Sequence, residues 1–137
     1  MMDEDILKDS WMPDEPISKT IKNKIKADNG RFWAGDNVSK YLEEGDKQKL
    51  IEELTPKFES VLDSLIIDRE NDPNSNDTGR RLAKMYINEL MAGRYNPMPN
   101  ATAFPQEMSE AYTGILTIRS ELKSVCSHHH QPVSGIA

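Results

Sequence analysis

The sequence predicts an α+β protein in which N-terminal helices are followed by one antiparallel strand pair. Three observations carry that prediction. Apolar residues recur at intervals of three and four over residues 46–67 and again over 78–92, the repeat of helix faces turned toward a core. After Gly114 the repeat shortens to two, as in a strand. Between these stretches, residues 72–76 and 97–105 collect proline, asparagine and aspartate, which mark turns and loops.

Composition bounds what such a chain can do. Its 137 residues are enough for one modest domain or part of a larger one. Hydrophobic residues make up 36% and charged residues 29%, with a mean hydropathy of −0.69, so the core is small. No apolar run approaches the roughly 18 residues of a membrane-spanning helix, and the acidic opening Met1-Met2-Asp3-Glu4-Asp5 has no signal-peptide pattern. A single cysteine, Cys126, excludes a disulfide framework and suits a reducing compartment, so a cytoplasmic location is expected. Net charge is −6, from 17 basic and 23 acidic residues, which disfavours a broad nucleic-acid surface but leaves room for a local anion pocket. The chain has neither an internal repeat nor a glycine-rich phosphate loop.

The elements follow in order. Residues 1–45 read as a variable N-terminal arm and short helices, 46–93 as a helical region, and 94–137 as a loop and the start of a strand domain. Pro13 and Pro16 among acidic groups make residues 1–17 a mobile arm. Ile17, Ile21 and Ile25 form a narrow helical stripe in a lysine-rich stretch that ends at Asn29-Gly30. Phe32 and Trp33 are expected to tuck against neighbouring helices. A short helix is expected from Asp36 through Val38, Tyr41 and Leu42 to Gly45. The stripe Leu50, Ile51, Leu54, Phe58, Val61, Leu62, Leu65 and Ile66 predicts a helix from Asp46 to about Ile67. Thr55-Pro56 makes either a kink in it or a second helix start. Asp77-Thr78 supplies capping chemistry for a helix from Thr78 to Ala92, closed by Gly93. Leu116, Ile118 and Leu122 alternate with polar residues in a half-buried strand reaching Val125-Cys126, and a returning strand begins at Val133. Two strands leave an edge unpaired, so another chain or further residues are expected to complete the sheet.

The chemistry gathers in Cys126-Ser127-His128-His129-His130, which holds every histidine and the one cysteine of the chain. Cys126 and His129 are three apart across a turn, so a thiolate and an imidazole can converge on one ion, and sulfur with nitrogen selects zinc over magnesium or calcium. A catalytic zinc takes about three protein ligands and keeps one open position, and two ligands are in view. His128, beside the pair, is available as a proton carrier. Upstream, Arg81 and Lys84 share one face of the helix that opens at Thr78. Alone, that pair reads as a solvated basic face.

These residues resemble the GTP cyclohydrolase I family. Asp77-Thr78-Gly79-Arg80-Arg81-Leu82-Ala83-Lys84-Met85-Tyr86-Ile87-Asn88-Glu89-Leu90 is similar to that family's helix entry, and Cys126-Ser127-His128-His129 with Pro132 is similar to its zinc and catalytic motif. The resemblance runs from about Leu50 to Ala137 and is loose before residue 45. The chain has Ser127 where the family usually has glutamate, His130 where it has an apolar residue, and Gly79 in place of a proline. The resemblance implies an incomplete tunnelling fold (T-fold) and zinc-dependent conversion of GTP and water to 7,8-dihydroneopterin triphosphate and formate, the first step toward folates and pterins. It makes Cys126 and His129 zinc ligands, His128 a catalytic proton-transfer residue, and Arg81 and Lys84 triphosphate-binding. It further implies a homo-oligomeric ring, commonly of ten chains, with sites between subunits, a third zinc ligand and a guanine-reading acid beyond Ala137, and no activity in residues 1–137 alone. Another T-fold enzyme acting on purines or pterins, or a non-catalytic helical interaction module with a metal-binding tail, are the alternatives.

Overall fold

The computed structural model describes residues 15–103 and 114–137, so most of the expected arm, and Pro105, lie outside the described residues. The order is α1 (Ile17–Ala27), a 3₁₀ turn (Ser39–Tyr41), α2 (Asp46–Ser64), α3 (Thr78–Met85), a π turn (Tyr86–Leu90), α4 (Ala92–Tyr95), β1 (Glu121–Val125) and β2 (Pro132–Ile136). The expected α+β order of helices and then an antiparallel strand pair is present.

The isoleucine stripe of α1 buries Ile21 and Ile25, and the helix stops where Asn29 takes a positive φ of 52° and the Gly30 N–H turns back to the Ile25 carbonyl at 2.8 Å. Glu53 clasps α1 to α2: one carboxylate oxygen accepts the Ser18 N–H at 2.9 Å, and the other accepts the Ser18 hydroxyl at 2.6 Å and Lys57 Nζ at 2.7 Å. Only a single 3₁₀ turn forms after Asp36. Asn37 Oδ1 accepts both the Ser39 N–H at 3.0 Å and its hydroxyl at 2.6 Å, an Asx-type cap, and Leu42 is already extended.

α2 runs unbroken through Pro56, so no second helix starts there. The proline is exposed, its missing N–H falls on the solvent side, and hydroxyls bond carbonyls around it: Thr55 Oγ1 to Ile51 O at 2.7 Å and Ser60 Oγ to Pro56 O at 3.0 Å. The helix ends at Ser64, short of the expected Ile67. Ile66 takes the left-handed position that follows a helix, with φ 62°, while the Ile67 N–H closes back on the Leu62 carbonyl at 3.1 Å.

α3 crosses α2 at close range. Gly79 and Ala83, one turn apart, are both buried, and a Cβ on Gly79 would lie 2.6 Å from Glu59 Cγ and 3.2 Å from both the Thr55 carbonyl and the Glu59 nitrogen. Gly79 therefore rests on a backbone rung of α2. Ala83 and Ile87 complete a core with Ile21, Ile25, Val38, Leu50 and Ile51. The expected side-chain cap is not made: Asp77 sits at the N-cap without one, and the Thr78 hydroxyl donates to the Asn74 carbonyl at 3.2 Å. Nor does the helix run regularly to Ala92, because it widens into the π turn after Met85.

Two more expectations are corrected. Trp33 is 69% exposed, its ring covered by the Arg31 guanidinium 4.2 Å from the centroid, while Arg94 holds the loop by donating to the carbonyls of Phe32, Trp33, Ala34 and Asp36. The first strand begins at Glu121 rather than near Gly114, paired Glu121↔Ile136 through Val125↔Pro132 with Ser120 and Ala137 bonded beyond. The hairpin is exposed on both faces, Leu122 at 52%, with only Val125 and Cys126 half-buried. Its apolar residues are split by the pleat, Leu122 and Val133 on one face and Val125 and Ile136 on the other, so neither face is a continuous apolar layer.

Gly79→Ala should destabilise the protein by about 1–2 kcal/mol, the cost of overpacking a closed helix crossing partly offset by alanine's better helix propensity. An unchanged denaturant midpoint would show that the crossing is looser than described. Ile66→Gly should act in the opposite sense, because a β-branched residue 93% exposed at positive φ is strained and buries almost nothing; a gain of about 1 kcal/mol is expected in thermal or urea unfolding, and a loss would contradict the reading.

Candidate metal centre

The connection between β1 and β2 is tied by two backbone hydrogen bonds: the Cys126 N–H donates to Gln131 O at 2.9 Å and the His130 N–H to Cys126 O at 2.8 Å. This curl turns the N–H groups of His129 and His128 onto the Cys126 sulfur. Donation from His129, and then from His128, holds the thiol below its usual range and favours the thiolate that a metal binds.

The three histidines diverge. All three are exposed, and the rings of His128 and His129 have centroids 6.5 Å apart and are tilted by 31°. His130, in the left-handed region at φ 53°, turns toward the helices, where its Nδ1 lies 3.3 Å from the Tyr86 hydroxyl. Tyr86 in turn stacks on Phe58 of α2, centroids 5.2 Å apart. Sequence reasoning missed Tyr86 and His130. The available signal was a tyrosine in an apolar helical stripe, whose hydroxyl needs a partner, together with a histidine triplet too long for every ring to face one way.

Arg81 and Lys84 are both exposed on α3. The Arg81 guanidinium donates to the Asn74 carbonyl at 2.6 Å and the Thr78 hydroxyl at 3.2 Å; Lys84 has no hydrogen-bond or ion-pair partner among the described residues. On a 3.6-residue helix they stand roughly 140° and 160° round from Tyr86, against which the Cys126–His130 turn is anchored. Within one chain the basic pair and Tyr86 therefore project from opposite sides of the helix. An open groove of about 440 Å³ separates the π turn from the hairpin, lined by Glu89, Leu90, Lys123, Ser124, Pro132 and Val133.

Among the described residues, no three His, Cys, Asp or Glu side chains converge on a metal position. The donor chemistry at the turn nonetheless fits zinc in part: a thiol held below its usual range and an imidazole three residues on, with further ligands required. No described helix is long and apolar enough to cross a membrane.

Fold and site together define an α+β chain presenting a Cys-x-His-His turn on a helical platform. Over 91 residues it is 32% identical to a GTP cyclohydrolase 1 of Actinobacillus pleuropneumoniae serotype 5b, a match covering 66% of this chain and 41% of that protein. It is 29% identical over 94 residues to a GTP cyclohydrolase 1 of Aeromonas hydrophila, covering 67% of this chain and 42% of the relative. A GTP cyclohydrolase 1 of Haemophilus ducreyi is 32% identical over 91 residues. The chain thus spans about two fifths of the length of the curated relatives it matches. No family model matches it, and no solved structure does.

Donation from two backbone N–H groups predicts that Cys126 alkylates with a pH midpoint below that of an ordinary free thiol, since the thiolate forms earlier as pH rises. Iodoacetamide rates measured against pH check this. A midpoint at or above the free-thiol value would mean that the amides do not point at the sulfur.

Proposed function

We propose that this chain is part of a zinc-dependent GTP cyclohydrolase that converts GTP and water to 7,8-dihydroneopterin triphosphate and formate. The observation that carries the reading is the turn: a cysteine whose thiol is held below its usual range by two backbone amides, an exposed imidazole on His129 beside it, and a second exposed imidazole on His128. The names of the relatives, which match about two thirds of this chain, support it as well.

In this reading Cys126 and His129 hold the metal, and the remaining ligand comes from residues outside those described or from another subunit. When bound, zinc supplies a Lewis acid that brings water toward ionisation near neutral pH. His128 carries the proton at the guanine nitrogen next to C8, a task suited to an imidazole without a competing side-chain hydrogen bond. Lys84 and Arg81 hold the triphosphate; Arg81 gives up its bonds to Asn74 and Thr78 to do so. Because the basic pair faces away from the turn of its own chain, the triphosphate held by one subunit is served by the turn of another, which fits a homo-oligomeric ring.

Metal analysis and turnover of substituted proteins test these roles. Cys126→Ala and His129→Ala should each weaken zinc binding by more than the roughly 10- to 100-fold that an outer-shell partner costs. In the intact enzyme, His128→Ala should keep its zinc and lose about 10²- to 10⁴-fold in formation of fluorescent neopterin products. Equal zinc retention in all three variants would overturn the assignment.

A further inference from the structure

His130 occupies a backbone conformation that most side chains avoid, at φ 53°, and its N–H is one of the two bonds that close the connection between the strands. The hairpin itself buries little, with Val125 its one half-buried strand residue. The ring of His130 does make a specific contact: its Nδ1 lies 3.3 Å from the Tyr86 hydroxyl, the two ring centroids are 5.6 Å apart at 52°, and Tyr86 is stacked on Phe58. Tyr86 begins the π turn, and the residue after it, Ile87, is 1% exposed within the core. The column Phe58–Tyr86–His130 therefore runs from the packed helices to the last residue of the Cys-x-His-His-His turn.

We propose that Tyr86 and His130 are a positioning pair: their hydrogen bond seats the 126–130 turn on the helical platform and thereby sets the direction in which Cys126 and His129 present their donors. In this arrangement the work of His130 is to anchor the turn through its Nδ1. Its Nδ1 is engaged by the Tyr86 hydroxyl, and that contact turns the ring toward the helical platform. Histidine suits the position twice, tolerating positive φ better than an aliphatic residue does and reaching the hydroxyl with its ring. The consequence for metal binding rests on the ligand reading given above; the seating of the turn does not.

Tyr86→Phe removes the hydroxyl and keeps the stack on Phe58, and His130→Asn keeps a residue that tolerates positive φ while removing the ring. Amide hydrogen exchange on the 137-residue chain should show the Cys126 and His130 amides exchanging about 2- to 10-fold faster in Tyr86→Phe, the range one neutral hydrogen bond commands, with the amides of α2 and α3 unchanged. The double variant should exchange no faster than His130→Asn alone, because both substitutions break one interaction. Titration with Co²⁺, followed by the thiolate-to-cobalt charge-transfer band, should show weaker binding in Tyr86→Phe by a similar factor. Unchanged exchange at the turn in Tyr86→Phe, or additive effects in the double variant, would overturn the pairing. Faster, non-additive exchange with Co²⁺ affinity unchanged in Tyr86→Phe would uphold the pairing and refute its consequence for metal binding.

Discussion

Everything that positions the site depends on how closely α3 can approach α2. Gly79 makes that approach possible by presenting no side chain to the Thr55–Glu59 rung, and Ala83 extends the contact by one turn. A larger residue at either place would lift α3 outward by the width of the added atoms, because a packed crossing has no free volume to absorb them. With α3 seated, Tyr86 falls over Phe58 and Ile87 enters the core. The widening into a π turn after Met85 then redirects the chain toward α4, whose Arg94 gathers the 32–36 loop.

The strand pair depends on this platform more than on itself. A two-stranded hairpin exposed on both faces has little stability of its own in water, and the apolar residues of this one are divided between its faces. At its tip is the six-residue connection, where backbone bonds between Cys126, His130 and Gln131 form the curl and the His130 ring meets Tyr86. The same curl turns two amides onto sulfur. Anchoring and thiolate support therefore arise from one piece of backbone geometry, and the exposed rings of His128 and His129 are left toward solvent on its outer side.

Much of this was legible in the residues, where periodicity was strong. The α1 stripe, the α2 face and the turn at Asn29-Gly30 follow from side-chain spacing and backbone chemistry, and those physical signals are local. The misreadings share a cause. Pro56 looked able to restart the helix, but its exposure lets the missing N–H fall where water can serve the orphaned carbonyl. Thr78 looked like a cap, yet its hydroxyl goes back to Asn74. The alternation around Leu116 and Ile118 looked like a strand, but a strand requires a partner, and β2 pairs only from Glu121 onward. Each outcome is decided by surroundings that side-chain spacing does not carry: solvent at Pro56, the Asn74 carbonyl at Thr78, and a partner strand for β1. In the site, Cys126, His128 and His129 stood out because the residue types are rare and adjacent, whereas the role of His130 depends on a tyrosine 44 residues away.

The central claim is that the Cys126–His130 turn presents one sulfur and one imidazole to a metal while the adjacent histidines do other work. Zinc-edge X-ray absorption on the zinc-loaded protein measures that donor set directly. The account predicts one sulfur scatterer at about 2.3 Å and imidazole nitrogen at about 2.0–2.1 Å, with the remaining positions filled by light atoms or by a donor from elsewhere. A first shell containing only nitrogen and oxygen, with no sulfur, would contradict it.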